Sequence, residues 1–390
     1  MSNPHILAVP FPTQGHVIPL MELSQCLVNH GFTVTFVNTD YNHKRVVNAL
    51  AADESQLSDR IRLVSLPDGL EPWEARHEVG KFCEATQRVM PGKLEELIEK
   101  INQGEGDKVT CVIADESAGW ALEVAEKLNI RRVAFFPGPA AILALQFSIP
   151  KLIHQGIIND DGTVSRSQMI QLAPDMPTMK TTEFLWACMG DLTEQKIVFQ
   201  LMVRNNKAAK LAEWIVCNSA YELEPAAFTM APEILPIGPL QASSRLGNSA
   251  CHFWPQDSTC LEWLDQQPPC SVIYVAFGST TVCDQTQFQE LALALELSQR
   301  PFLWVVRPDI TDKTSDPYPE GYQDRVGLKL KKNENGIIPQ GEIKSKVEQL
   351  LGDENFKARA SKLKEMGMTS VKEGGQSHRI FKNLIEWMKT

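Results

Sequence analysis

The most constraining feature of the sequence is a repeated alternation of short apolar segments with helical segments across its first 240 residues. Six segments have the length and β-branched content of buried strands, and they are HILAVPFP, FTVTFVNT, IRLVSLP, VTCVIADES, RRVAFFP and WIVCNSAYELE. Helical periodicity falls between them, at about residues 18–29, 93–102 and 119–128. Strands that alternate with helices form a mostly parallel sheet with helices on both faces, so the sequence predicts an α/β first lobe.

The alternation resumes in the second half of the chain and then stops. Residues 241–257 lose periodicity and collect Gly, Ser, Pro and Asn, which is typical of an interdomain linker. SVIYVAFGS and PFLWVVR then predict two strands, and Asp284 with Gln287 predicts a capping box at the start of the helix between them. Two strands are too few for an open sheet that is buried on both faces. We therefore expect a complete N-terminal lobe over 1–240 and an incomplete C-terminal lobe, including the last helices, over 258–390. In such a lobe the apolar faces of the helix at 285–299 and of the final helix should be left partly uncovered.

Composition argues against several classes of partner. The net charge of −10, without a basic run, argues against DNA, RNA and an anionic membrane as the main partner. No segment approaches 18 consecutive apolar residues, and the N-terminus has no basic region, so the sequence predicts neither a membrane span nor a signal peptide. The nine cysteines form no C-x-x-C pair, which indicates free thiols in a reducing compartment. We expect a soluble, cytoplasmic protein.

Two polar residues follow predicted strands and are candidates for acid–base chemistry. His16 follows the first strand in the turn P-T-Q-G-H, ahead of a helix with Pro19 in its first turn, and Asp115 ends the strand VTCVIAD. Ligands of parallel α/β proteins collect at the carboxyl ends of the strands. An imidazole at that edge accepts a proton from a hydroxyl group, and a carboxylate on its other nitrogen stabilises the imidazolium. The alternative is that His16 caps a turn and Asp115 caps a helix.

A second candidate site lies where the strand SVIYVAFGS ends. Backbone N–H groups at Gly278 and Ser279, together with the Ser279 hydroxyl, have the chemistry to bind a diphosphate ahead of the next helix. The alternative is a plain tight turn. The remaining histidines have no partner at metal-ligand spacing, so no metal site is predicted. No G-x-G-x-x-G or Walker A string occurs, which argues against a dinucleotide enzyme or a P-loop ATPase.

Several segments occur in the order in which plant family-1 UDP-glycosyltransferases carry them, and the chain resembles that family. These segments are PFPTQGHVIPLMELSQCL, ADESAGWALEVA, IGPL, CLEWLDQQPPCSVIYVAFGS and RPFLWVVRP. Together they run through most of residues 4–326. Residues 327–390 are similar to the C-terminal part of the family's members. The resemblance implies the GT-B fold, in which two Rossmann-like lobes bind the acceptor and the UDP-sugar respectively. It also implies transfer of a sugar from a UDP-sugar co-substrate, with no other cofactor, to a small lipophilic molecule.

The resemblance also implies roles for individual residues. His16 would be the catalytic base, Asp115 its orienting partner, and Ser279, beside Gly278, a donor contact. Acceptor pockets in this family are lined by variable loops. Five aromatic residues are candidates for their apolar walls, and these are Phe11, Phe136, Phe147, Phe184 and Trp186. A plain core role is the alternative for each of them.

One signature of the family is missing from the sequence. The plant secondary-product glycosyltransferase box begins W-A-P-Q and contains H-C-G-W-N-S, and neither string occurs here. Its place lies between the segments DRV and GLKL, which are fused in this chain at the junction of Val326 and Gly327. In relatives the box holds the uracil, the phosphates and the sugar hydroxyls. The resemblance therefore predicts a C-terminal lobe that is truncated internally and lacks those contacts.

Three hypotheses follow from this combination. The first is an active UDP-dependent glycosyltransferase that transfers a sugar, glucose by family, to a hydroxyl with inversion. The second is a box-less protein that binds acceptor-like ligands, or a partner, and transfers nothing. The third is an artefact, such as a skipped exon, a mis-spliced gene sequence or an engineered deletion. For assembly we expect a monomer or weak self-association.

Overall fold

The structure is a computed structural model that describes most of the chain. The described residues are 4–52, 57–74, 76, 78–240, 252–253, 259–278, 284–305, 330, 333 and 337–390. Most of the predicted linker, and the junction of Val326 with Gly327, lie outside these residues.

The main sheet of the protein is parallel and has seven strands. The strands of the described residues are β1 (His5–Val9), β2 (Thr33–Thr39), β3 (Ile61–Leu66), β4 (Val109–Asp115), β5 (Arg131–Phe136), β6 (Met169–Ile170), β7 (Met179–Lys180), β8 (Trp214–Cys217), β9 (Ile234–Pro236), β10 (Ile273–Val275) and β11 (Phe302–Trp304). Their order across the main sheet is β3-β2-β1-β4-β5-β8-β9, and every neighbouring pair is parallel. The six strands predicted for the first lobe are confirmed as β1 to β5 and β8. The short β9 was missed because three residues that end in proline carry no strand pattern.

Helices cover both faces of this sheet. Those of the described residues are α1 (Gln14–Asn29), α2 (Asp40–Ala52), α3 (Val79–Gln103), α4 (Trp120–Lys127), α5 (Ala140–Phe147), α6 (Ile149–His154), α7 (Leu192–Ala209), α8 (Pro225–Met230), α9 (Thr259–Asp265), α10 (Gln285–Leu297), α11 (Gln340–Gly352), α12 (Glu354–Val371) and α13 (Gln376–Lys389). None of the helices within the described residues is long and apolar enough to cross a membrane.

Alternate residues of the strands supply two cores on opposite faces of the sheet. On β1, Leu7 and Val9 join the core under α3, α4, α5 and α7. Ile6 and Ala8 of the same strand join the core under α1 and α13. All residues of β1 are buried, as a central strand of a parallel sheet requires. The predicted doubly covered sheet is therefore confirmed for the first lobe.

The final helix, α13, packs on the first lobe as well as on the preceding helix α12. Its apolar face is between 0% and 4% exposed and consists of Phe381, Leu384, Ile385 and Met388. These side chains belong to the same core as Ile6. The Arg131 guanidinium donates a hydrogen bond to the Trp387 carbonyl at 2.9 Å and lies 5.3 Å from the Trp387 ring. We expected this face to be left partly uncovered, and that expectation was wrong, because the helix covers the face by crossing to the first sheet.

The second lobe contains the two strands predicted from the sequence. β10 and β11 pair in parallel, and no third strand joins them among the described residues. Several large apolar side chains around this pair reach solvent, including Tyr274 at 66%, Leu297 at 45% and Phe302 at 41% exposure. On the apolar face of α10, Phe288, Leu291 and Ala292 are half-buried and Leu295 is buried, so this face is partly uncovered, as expected for a lobe with few strands.

Side chains of α10 hold the chain that follows the undescribed stretch. Half of the predicted capping box is confirmed, because the Gln287 N–H donates to Asp284 Oδ1 at 2.7 Å, whereas the Gln287 side chain bonds elsewhere. The Gln287 side-chain amide pairs with the backbone of Ile338, accepting from its N–H at 2.8 Å and donating to its carbonyl at 3.1 Å. The Gln340 N–H, at the start of α11, donates to the Glu290 carboxylate. The C-terminal tail, residues 337–390, is thus attached both to α10 and, through α13, to the first lobe.

Replacement of Leu384 tests the attachment of α13. Leu384 is fully buried, so Leu384→Ala removes apolar contacts and leaves a cavity, and we expect the free energy of unfolding to fall by about 2–5 kcal/mol. Urea titration followed by circular dichroism measures this change. The matched control is Leu351→Ala on α11, where the side chain is 44% exposed and a change within about 0.5 kcal/mol is expected. Equal effects of the two substitutions would contradict the packing of α13 on the first lobe.

Candidate active site

The candidate site lies where the strand order of the main sheet reverses. From β1 the chain continues to β2 and β3 on one side, and β4 then pairs with β1 on the other side. In open parallel sheets such a reversal opens a crevice at the carboxyl ends of the two central strands, and ligands bind there. His16 follows β1 and Asp115 ends β4, so both residues lie at this crevice.

His16 lies in the first turn of α1. The helix begins at Gln14, and the Thr13 carbonyl accepts from the N–H groups of His16 and Val17 at 3.0 and 2.9 Å. The predicted helix start at residue 18 was therefore late. It rested on the preference of proline for a first turn, whereas Pro19 is the sixth residue of α1 and only removes one backbone donor there.

The structure joins His16 and Asp115 directly. The distance from His16 Nδ1 to Asp115 Oδ2 is 2.8 Å, and Asp115 Oδ1 accepts from the Ser117 N–H at 2.9 Å. The Asp115 side chain is fully buried, whereas that of His16 is 28% exposed. A carboxylate on Nδ1 fixes the proton there and leaves Nε2 as the basic nitrogen, and no described residue hydrogen-bonds to Nε2. The predicted contact is confirmed, and it presents an oriented base to solvent.

Two opposing effects act on the pKa of His16. Burial of the imidazole is the largest single effect and disfavours its charged form. The negative charge of Asp115 and the hydrogen bond with it act in the opposite direction, and together they raise the pKa of His16 above its ordinary value. The pair therefore stabilises the imidazolium that forms when Nε2 takes up a proton.

An aromatic wall adjoins this base. The ring of Phe11, in the loop between β1 and α1, lies 5.2 Å from the His16 ring in an edge-on contact. The ring centroid of Phe82, in the first turn of α3, lies 6.2 Å from that of Phe11. Phe11 is only half-buried, so its ring places apolar surface beside the basic nitrogen. Of the predicted acceptor residues, Phe11 is the one that contacts the base.

The other four predicted acceptor residues belong to other segments of the first lobe. Phe184 and Trp186 are at most 1% exposed, their ring centroids are 4.9 Å apart, and the Trp186 indole N–H donates to the Gly162 carbonyl at 3.0 Å. These contacts match the alternative prediction, which was a plain core role. Because both side chains are buried, the structure does not support Phe184 and Trp186 as open walls of an acceptor pocket. Phe136, at the end of β5, is 5% exposed, and Phe147 at the end of α5 is half-buried. An acceptor role for these residues stays a prediction.

The predicted donor contacts are described only in part. Gly278 follows β10 with a positive φ of 69°, a conformation that favours glycine, and a Cβ built on it meets no atom within 4 Å. Ser279 lies outside the described residues. The donor-binding role of both residues therefore stays a prediction. Among the described residues no three His, Cys, Asp or Glu side chains form a group able to hold a metal ion.

The sequence analysis missed Glu116, which lies beside the pair. Glu116 is 1% exposed and follows Asp115 at the end of β4. Burial and the negative charge of Asp115 raise the pKa of Glu116 to about 8. Two consecutive carboxylic residues at the end of a buried strand were a visible signal, since a buried pair of like charges is unfavourable.

Known proteins resemble this chain along its whole length. UDP-glycosyltransferase 83A1 of Arabidopsis thaliana is 39% identical over 457 aligned positions, which include 100% of this chain and 98% of that protein. The 7-deoxyloganetin glucosyltransferase of Catharanthus roseus is 31% identical over 355 positions, which include 86% of this chain and 72% of that protein. No model of a protein family matches the chain.

Solved structures show the same fold. A UDP-glucosyltransferase from Polygonum tinctorium superposes with a TM-score of 0.77 at 23% identity, covering 100% of this chain and 99% of that one. Os79 from O. sativa, solved in complex with UDP, superposes with a TM-score of 0.75 at 20% identity, covering 98% and 99%. The fold is therefore the GT-B fold. With 39% identity to a relative that it covers almost completely, the chain belongs to the plant family-1 UDP-glycosyltransferases.

Proposed function

We propose that this chain carries the acceptor-side chemistry of a UDP-glucose-dependent transferase that glucosylates a hydroxyl group of a small lipophilic metabolite. The observation that carries the proposal is the 2.8 Å hydrogen bond between His16 and Asp115 at the crevice of the main sheet. Related proteins support the class of substrate, because their names include a 7-deoxyloganetin glucosyltransferase and an (R)-mandelonitrile β-glucosyltransferase. The half-buried ring of Phe11 suits an apolar acceptor beside the base.

The proposed reaction is a single displacement. The acceptor hydroxyl oxygen attacks the anomeric carbon of the sugar, its proton passes to His16 Nε2, and the bond to the diphosphate breaks, so that UDP departs with the electron pair. Attack opposite to the leaving group inverts the configuration of that carbon. Asp115 holds the imidazole through Nδ1 and stabilises the imidazolium while the proton resides on it.

We further propose that the chain lacks the donor-binding box of its family, at the junction of Val326 with Gly327. The alignment with UDP-glycosyltransferase 83A1 has 457 positions and so exceeds the 390 residues of this chain by 67, which supports an internal deletion. The absence of the strings W-A-P-Q and H-C-G-W-N-S from the sequence supports the same proposal. The lack of a donor-binding box favours a second candidate function, in which the chain binds acceptor-like molecules and transfers no sugar.

For location and assembly we infer a cytoplasmic protein that is a monomer or associates weakly. None of the seven described cysteines forms a disulfide bond, which supports a reducing compartment. Exposed apolar residues of the second lobe, such as Tyr274 and Phe302, support weak self-association.

The first test of the proposed base uses a chain that carries a relative's box between Val326 and Gly327. We expect His16→Ala to lower kcat by about 10²- to 10⁴-fold, because it removes the proton acceptor. Asp115→Asn keeps the shape but removes the orienting charge, so a large loss of kcat is expected there as well. Steady-state release of UDP measures both. His154→Ala, at an exposed position of α6, is the matched control and should retain full turnover. Full turnover by the His16 variant would refute the assignment.

The pH profile of the same box-carrying chain tests the electrostatics of the pair. Only neutral imidazole accepts a proton, so turnover should rise with pH through a pKa above the ordinary histidine value of about 6.5. Asp115→Asn removes the charge that raises this pKa while the burial that lowers it remains. The midpoint of the profile should therefore move to lower pH as the plateau falls. A midpoint that stays in place would show that Asp115 does not act on the base.

The chain as it stands should neither bind UDP-glucose at micromolar concentration nor turn it over. A general base supplies typically about 10²- to 10⁴-fold in rate, whereas positioning of the substrates and stabilisation of the leaving diphosphate usually contribute more. Calorimetric titration with UDP-glucose, beside the box-carrying chain, measures the difference, and circular dichroism checks that both are folded. Micromolar binding and turnover by the unmodified chain would mean that a different surface holds the donor.

A further inference from the structure

The loop that joins β1 to α1 carries the Phe11 ring that lies beside His16. Its sequence is Pro10-Phe11-Pro12-Thr13, in which the two prolines have no N–H group to donate. The Thr13 N–H donates back to the Phe11 carbonyl at 2.8 Å, and the Thr13 side chain makes no cap at the start of α1. The position of Phe11 therefore depends on contacts that other elements make with this loop.

Asn42, in the first turn of α2, makes such a contact. Its side-chain amide donates a hydrogen bond to the Pro12 carbonyl at 2.8 Å. A carbonyl group only accepts, so the side-chain atom that faces it is the amide nitrogen. Asn42 is 4% exposed and shares the buried face of α2 with Val46 and Ala49, which follow it by four and seven residues. A buried polar side chain on an otherwise apolar face indicates a specific hydrogen bond, and the Pro12 carbonyl is its acceptor here.

The backbone of Asn42 is itself fixed at the carboxyl edge of the main sheet. Its N–H donates to Thr39 Oγ1 at 3.2 Å, and Thr39 is the last residue of β2. In the sheet, β2 and β4 flank β1 on its two sides. Asp115 at the end of β4 therefore holds the base from one side, whereas Asn42 after β2 holds the Phe11 loop from the other.

Phe82 supports the Phe11 ring directly. Phe82 is 3% exposed, and its ring is inclined by 70° to that of Phe11 at a centroid distance of 6.2 Å. The Phe11 ring in turn is inclined by 63° to the His16 ring at 5.2 Å. Such edge-on contacts are a favoured arrangement of aromatic rings. The amide of Asn42 thus fixes the backbone next to Phe11, and Phe82 fixes its side chain.

We propose that Asn42 is a positioning residue: through the Pro12 carbonyl it sets where the Phe11 ring stands relative to His16, and so where a lipophilic acceptor places its hydroxyl group. This inference rests on the proposed function, in which His16 is the base and Phe11 a wall for the acceptor. The base is held by a separate contact, its hydrogen bond with Asp115. Loss of the Asn42 hydrogen bond therefore displaces the wall and leaves the base in place, and a displaced acceptor reacts more slowly.

The test of the positioning is an NMR measurement of the His16 ring protons in the full chain, with the resonances assigned by their loss in His16→Gln. The ring current of Phe11 acts on these protons, and Phe11→Leu removes it. Asn42→Leu is similar in size, adds no charge and cannot donate to Pro12. We expect it to shift the His16 resonances in the same direction as Phe11→Leu and by a smaller amount. In a chain that already carries Phe11→Leu, Asn42→Leu should cause no further shift, because the two residues act through one ring.

The consequence for catalysis is measured in the box-carrying chain with a lipophilic phenol, 4-methylumbelliferone, as the acceptor. We expect Asn42→Leu to raise the acceptor KM about tenfold, because the apolar contact with Phe11 is lost before the chemical step. The midpoint of the pH profile should change far less than in Asp115→Asn, since the bond between His16 and Asp115 remains. Circular dichroism checks that the variant is folded, and Asn42→Ala is a second variant with the same expected results.

The matched control is Asn48→Leu, the same change at an exposed position of α2, and it should leave the His16 resonances and the acceptor KM unchanged. An Asn42→Leu variant with the His16 resonances of the unmodified chain would overturn the proposal, even if it were less stable, because Asn42 would then have a packing role alone. A shift that adds in full to that of Phe11→Leu would also overturn it. The NMR measurement requires no sugar donor. Failure of the proposed function would instead appear as turnover by the box-carrying chain that does not depend on His16.

Discussion

The adjacency of β1 and β4 in the main sheet is the constraint on which the candidate site depends. The two strands pair in register through Ile6 with Cys111 and Val9 with Ala114, and their carboxyl ends therefore lie side by side. Residues that are 99 positions apart in sequence meet there as the His16–Asp115 pair. Because every residue of β1 is buried between two cores, neither strand can shift without exposing apolar surface. Packing of the first lobe thus sets the geometry of the base.

The two halves of the molecule differ in how much of this packing they possess. The first lobe completes its second core with α13, a helix from the other end of the chain. The tail that leads to α13 is held on α10 by the Gln287 side chain. The described part of the second lobe leaves Tyr274 and Phe302 in solvent. The C-terminal segment is thus attached at both of its ends, to α10 and to the first lobe.

Sequence patterns predicted the elements that depend on local periodicity. The six strands of the first lobe and the Asp284 cap were confirmed, and so was the contact of His16 with Asp115, because parallel strands bring their ends to one edge. The destination of α13 was wrong, since an amphipathic pattern gives the apolar face of a helix but not its partner. The predicted start of α1 was late because it rested on the preference of proline for a first turn, whereas Pro19 is the sixth residue of the helix. Glu116 was missed because its charge state depends on burial under α7, which is a tertiary effect.

Asp115 and Glu116 show how one environment gives two neighbouring carboxyl groups different roles. Asp115 accepts hydrogen bonds on both oxygens, from His16 and from Ser117, which is the arrangement that serves an anion. The Oε1 atom of Glu116 accepts none from the described residues, which is the arrangement that serves a neutral acid. Were both ionised, two buried negative charges would stand on consecutive residues, which is unfavourable. The direction in which the end of β4 turns, more than the identity of the residues, therefore decides which carboxyl group binds the imidazole and which one is buried without a donor on Oε1.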